Sequence, residues 1–124
     1  MKIVIFEDEE PAARRLIKLL NEVSTDVEIV SVIDSVRSGK EFMKQNKSFD
    51  LIISDIRLAD GLSFEIFKSH TVKLPVIFST AYDEYAIEAF RNNGIDYLLK
   101  PVKREELKTA IQKYENWFSD STSG

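Results

Sequence analysis

Five polar side chains stand where apolar runs of this chain end, and their types belong to one kind of chemistry. Glu7 and Asp8 follow KIVIF, Asp55 follows FDLIIS, Thr80 follows PVIFS, and Lys100 follows IDYLL. Carboxylates brought within a few Å repel one another, which raises a pKa unless a cation compensates. A cluster of oxygen ligands without His or Cys selects a hard ion, and Mg²⁺ is the usual occupant where phosphate is handled. A lysine is a point charge suited to phosphate or to a phosphorylated carboxylate. A threonine hydroxyl can donate to an incoming phosphoryl oxygen. Acid, Mg²⁺, lysine and hydroxyl together supply what phosphoryl transfer requires, an in-line nucleophile and neutralisation of the transferring group.

Those residues meet only if the elements bearing them lie side by side. Residues 2–6 are apolar and β-branched, as a buried strand requires, and 27–33, 49–54, 75–79 and 95–99 read the same way. Between them fall helical patterns. Pro11 suits a first helical residue, and Ala13, Leu16, Ile17, Leu20 and Val23 follow on one face. A helix over about 35–46 is weakened by Gly39, and a short one covers about 63–69 after Asp60-Gly61. Another covers about 83–92 and stops at Asn93-Gly94; the last carries Leu107, Ala110, Ile111, Tyr114 and Phe118. Buried strands alternating with helices imply an α/β fold: a doubly wound, five-stranded parallel sheet with helices on both faces. The common flavodoxin-like order is 2-1-3-4-5, and ligands bind beyond the carboxyl ends of its strands near the switch point. Strands one and three are neighbours there, so Glu7, Asp8 and Asp55 should crowd together.

Composition excludes several alternatives. With 124 residues one domain is expected, over 1–118, with the small polar run 119–124 as linker or disordered tail. The absence of cysteine rules out disulfides, thiolate zinc and a cysteine nucleophile, and one histidine, His70, rules out a multi-His metal centre. No apolar run approaches the ~20 residues of a membrane span, and MKIVIF is not a signal peptide, so a cytoplasmic location without membrane contact is expected. A net charge of −4 argues against gripping DNA through this segment's own charge.

The motifs FEDEEP, LIISD, DGLSFEIF, FSTAYDEY and DYLLKP, in this order and spacing, resemble the receiver domain of bacterial two-component response regulators. The family's chemotaxis member has the sheet order given above, so topology and resemblance are one argument, not two. The resemblance runs from about residue 2 to 118. It implies that Asp55 is the phosphoacceptor for a sensor histidine kinase, and that Glu7, Asp8, Asp55 and the backbone carbonyl of Arg57 hold Mg²⁺. It implies further that Lys100 pairs with the phosphate, that Thr80 and Tyr97 are switch residues, and that the Lys100–Pro101 bond is a candidate cis peptide. Glu7 departs from the pattern, since aspartate is the commoner choice there.

The strings LADGLSFEIF and FSTAYDEYAIEAFRNNGIDYLLKP look like receivers that precede a LytTR-type DNA-binding domain, so a C-terminal effector domain absent from these 124 residues is expected. Such a chain modifies itself and turns over no external substrate, so it is not an enzyme in the usual sense. Phosphorylation would favour a homodimer, with Tyr82, Tyr85, Tyr97, Lys103 and Arg104 as its candidate face. The alternative is a stand-alone receiver acting by protein–protein contact. A haloacid-dehalogenase phosphatase would need its nucleophile at the end of strand one, and a flavodoxin would need a hydroxyl-rich loop where acids stand here. Glu9 and Glu10 read as favourable charge at a helix N-terminus, Asp60 and Asp96 as turn residues, and His70 as an exposed side chain. Gly61 should supply a positive φ. Trp117, off the apolar stripe of the last helix, should be partly exposed.

Overall fold

In a computed structural model, residues 1–45, 47–68, 75–81 and 94–123 are described, with only the backbone at 118–123. The apolar runs become strands β1 (Lys2–Phe6), β2 (Glu28–Ile33), β3 (Leu51–Asp55), β4 (Val76–Thr80) and β5 (Gly94–Leu99). They form one sheet in the order β2-β1-β3-β4-β5, every neighbouring pair parallel. The helices are α1 (Glu10–Val23), α2 (Val36–Lys44), α3 (Phe64–Lys68) and α4 (Arg104–Ser123). The helix expected over 83–92 lies outside the described residues, as do Tyr82, Tyr85 and His70.

Alternation along β1, β3 and β4 divides the core in two. Ile3, Ile5, Leu51, Ile53 and Ile77 face Leu16 and Leu20 of α1 and Leu107 and Ile111 of α4. Val4, Phe6, Ile52, Val76 and Phe78 face Phe42 and Met43 of α2 and Phe64 and Ile66 of α3. Burial on both faces is why the strands read as unbroken apolar runs. Each fully buried large side chain, such as Phe6 or Phe78, contributes ~1.5–3 kcal/mol.

Several boundaries differ from the sequence reading in ways that bear on the strand ends. Asp55 and Thr80 are the last residues of their strands rather than the first beyond them. Phe49 leaves the strand and packs on Phe42 of α2, ring centroids 5.9 Å apart. The loop after Asp55 contains a two-residue hairpin, Arg57–Leu58 against Gly61–Leu62. Gly61 has φ 149°, a conformation open to glycine, as expected. Asp60 is more than a turn residue. Its carboxylate accepts the N–H groups of Val36 (2.6 Å) and Arg37 (3.1 Å), so it caps α2 from another part of the chain. Ser35 caps the same end by accepting from Ser38 N–H. Gly39 is where Ile66 of α3 presses against α2, leaving no room for a Cβ.

In β5 a register shift opposite Val76 and Ile77 aligns Tyr97 with Phe78. Asp96 is therefore a strand residue, not a turn, and it pairs with Lys113 of α4 at 3.4 Å. Helix α4 continues through Ser123, over the run read as linker or disordered tail. No proline or glycine interrupts it before Gly124, and each added residue brings one hydrogen bond.

Candidate functional site

At the carboxyl edge of the sheet, the parallel pairing of β1 with β3 brings their acidic ends together. Glu7, Asp8 and Asp55 each offer an oxygen, and these atoms lie within 4.8 Å of one another. Glu7 and Asp55 are buried and Asp8 is exposed, so the cluster is walled on one side and open on the other. Lys100 enters from the end of β5. Its Nζ donates to Glu7 Oε1 at 2.5 Å and to Asp55 Oδ2 at 2.8 Å. The second Asp55 oxygen, Oδ1, accepts the backbone N–H of Arg57 at 3.2 Å. Glu7 Oε2 accepts from Glu9 N–H at 3.1 Å.

The electrostatics follow from that crowding. Burial pushes the Glu7 carboxyl above the ordinary carboxylate range, the charge of Asp55 adds to the effect, and the hydrogen bonds from Lys100 and Glu9 offset only part of it. Burial alone would lower Lys100, but its hydrogen bonds to Asp55 and Glu7 outweigh that and hold its pKa above the ordinary lysine value. Three ionised carboxylates against one ammonium leave two negative charges, which one divalent cation balances.

An all-oxygen set of this kind suits a hard ion. The spread of the oxygens is close to twice the ~2.0–2.6 Å of Mg–O and Ca–O bonds, and exposed Asp8 has the freedom to close on an ion. The residues present therefore fit a divalent cation.

The remaining candidates fall around this cluster. Thr80 is fully buried at the end of β4, and its carbonyl accepts Lys100 N–H at 2.7 Å. The Lys100–Pro101 bond is cis. Tyr97 is half-buried against the core on the Phe78 side. Arg57 lies two residues past Asp55 in the hairpin. Of the face suggested for self-association, Arg104 pairs with Glu22 of α1 at 3.7 Å. Trp117 is 58% exposed, as its offset on α4 implied. Ser79, passed over in the sequence, is buried opposite Asp55 in the β3–β4 pairing. Arg15 was missed as well: its Nη2 donates to the carbonyl of Val102 at 3.0 Å. Neither carries a local signal, since one reads as a strand serine and the other as a solvated helix arginine.

Comparison with known proteins bears on this arrangement. Residues 3–112 match the family model described as the response regulator receiver domain. The sensory transduction protein LytT of Bacillus anthracis is 36% identical over 115 residues, covering 90% of this chain and 46% of that protein. The transcriptional regulatory protein LytR of Staphylococcus aureus is 35% identical over 116 residues, covering 91% and 46%. The chain thus spans about half the length of the curated relatives it matches. Among solved structures, the response regulatory domain of protein mrkE from Klebsiella pneumoniae superposes with a TM-score of 0.83 at 33% identity, covering 97% of this chain and 99% of that one. A receiver domain protein from Clostridium thermocellum gives 0.77 at 25% identity, covering 95% and 96%.

Proposed function

Because this chain belongs to the response regulator receiver family, we propose that it is the phosphoacceptor module of a two-component transcription regulator, modified on Asp55 by a partner histidine kinase. The observation that carries this reading is Lys100 bridging Asp55 and Glu7 with Asp8 alongside. One oxygen of the Asp55 carboxylate attacks the phosphorus of a phosphohistidine in line. The O–P bond of an acyl phosphate forms as the N–P bond breaks, and the imidazole nitrogen keeps the bonding pair. Mg²⁺, held by Glu7, Asp8, Asp55 and the carbonyl of Arg57, would neutralise charge on the transferring group. Lys100 then exchanges carboxylate partners for a phosphoryl oxygen, and the Arg57 N–H keeps the Asp55 carboxylate oriented.

The signal leaves the site through Thr80 and Tyr97. Thr80 shares a backbone hydrogen bond with Lys100, so a shift of Lys100 toward phosphate pulls on the end of β4. Its hydroxyl is buried here and must swing out to meet a phosphoryl oxygen, vacating space that Tyr97 can occupy. The result is a change on the β5 face that favours a homodimer, with residues 1–118 as the signalling domain and the end of α4 leading toward a LytTR-type DNA-binding domain. The relatives' names, LytT and LytR, support this effector, as does their greater length. The switch acts in the cytoplasm and contacts DNA only through its effector; among the described residues no helix is long and apolar enough to cross a membrane.

Intact-mass measurement after incubation with acetyl phosphate and Mg²⁺ tests the reading. The chain gains one phosphoryl group that hydroxylamine removes, and Asp55→Asn gains none. Unchanged labelling of Asp55→Asn overturns the assignment.

A further inference from the structure

The backbone that presents Lys100 is fastened at both ends and hollow beneath. Its start is tied to β4 by the hydrogen bond from Lys100 N–H to the Thr80 carbonyl, 2.7 Å. Its far end is tied to α1 by Arg15, whose Nη2 donates to the Val102 carbonyl at 3.0 Å. Between these anchors lies a cavity of about 320 Å³, with Glu7, Ser79, Lys100 and Pro101 on one side and Ala12 and Leu16 of α1 on the other. The Val102 side chain is buried in the core with Leu16, but packing leaves the space between Lys100 and α1 unfilled, so directed contacts also position Lys100. Arg14, next in sequence, pairs within its own helix to Glu10 at 3.2 Å, so the cross-link is particular to Arg15.

A lysine ammonium sits on four rotatable bonds, and its placement is only as good as the backbone it starts from. In phosphoryl transfer a misplacement near 1 Å can cost up to ~10²-fold. We propose that Arg15 is a positioning residue for Lys100: by holding the Val102 carbonyl it sets the backbone of 100–102 where the ammonium reaches both Asp55 and Glu7. Arg15 lines the same cavity as Glu7 but forms no ion pair with the carboxylates, and it acts through the placement of Lys100. The inference rests on the phosphate-pairing role given to Lys100 above, and its test separates the two.

With acetyl phosphate at saturation and Mg²⁺, Arg15→Ala slows phosphorylation of Asp55 about fivefold, equivalent to ~1 kcal/mol at 1.36 kcal/mol per factor of ten. Arg15→Lys, which keeps one donor, recovers most of the rate, and Arg14→Ala leaves it unchanged. In a Lys100→Ala background the Arg15→Ala change costs nothing further. In the unphosphorylated chain, Arg15→Ala also shifts the ¹⁵N–¹H resonance of the Lys100 ammonium. A wild-type rate with an unmoved resonance overturns the inference, and so does an equal slowing in the Lys100→Ala background. If the wild-type chain accepts no phosphoryl group, the proposed function fails, and the Lys100 resonance alone decides the positioning role.

Discussion

Replacing Lys100 with methionine removes the one ammonium that separates two buried carboxylates. The side chains of Glu7 and Asp55 retain 4% and 9% of their exposure, and that of Lys100 retains 20%. A Coulomb estimate at an effective dielectric of ~20 gives ~6 kcal/mol for each of the contacts at 2.5 and 2.8 Å, and desolvation of the ammonium returns a large part of it. Breaking a buried pair by deleting one partner costs ~3–5 kcal/mol, and the open side toward Asp8 puts this site near ~3. At about 4 °C per kcal/mol for a chain of this length, Lys100→Met melts about 12 °C below wild type at neutral pH in metal-free buffer. Circular dichroism melts measure this directly. Removing the second charge as well, in Lys100→Met/Asp55→Asn, recovers at least half of the loss.

The pH dependence has a definite sign. The folded pKa of Lys100 is raised, so its contribution is complete below the ordinary 10.5 and is lost only as pH rises through the higher folded value. On the acid side Glu7 takes up its proton above its ordinary 4.5, and the deficit of the methionine variant shrinks from that point downward. A Lys100→Met chain melting within about 3 °C of wild type, well inside the range expected from one lost hydrogen bond, would refute the account.

Three further outcomes follow from the same structure. Glu7→Gln flattens the pH dependence of stability: a raised folded pKa contributes stability that is full below 4.5 and lost as pH rises through the folded value. Urea midpoints measured across that window therefore slope in the wild type and not in the variant, and Mg²⁺ affinity measured by titration calorimetry falls ~10-fold. Asp60→Ala lowers the melting temperature at neutral pH and loses that difference in acid. Its carboxylate is held below the ordinary 3.8 by the Val36 and Arg37 N–H groups, so its contribution is present above that value and disappears as pH falls through the depressed one. Gly39→Ala drives a Cβ into Ile66, which is fully buried. The overpacking outweighs the gain in helix propensity, for a net loss of ~1–2 kcal/mol by urea denaturation that Ile66→Val relieves.

Much of this molecule was legible in the order of its residues. The largely apolar runs at 2–6, 49–54 and 75–79 read as strands covered on both faces, and amphipathic stretches between them as the covering helices. The alternation is a consequence of periodicity, which is local. The sheet order came from the common doubly wound precedent and the family resemblance, and in that order Glu7, Asp8 and Asp55 meet because polar residues closing neighbouring parallel strands share one edge. The contacts that give the site its character are not local: Lys100 joins Glu7 across 93 residues, and Arg15 reaches Val102 across 87. Asp60 looked like a turn residue and caps a helix that begins 24 residues earlier. Which of two adjacent arginines turns to a loop, and whether a glycine marks a weak helix or a close crossing, depends on side-chain direction and on what packs opposite. Those are set only when the layers close, since an exposed helix face carries the same residue types whether or not a carbonyl waits beyond it.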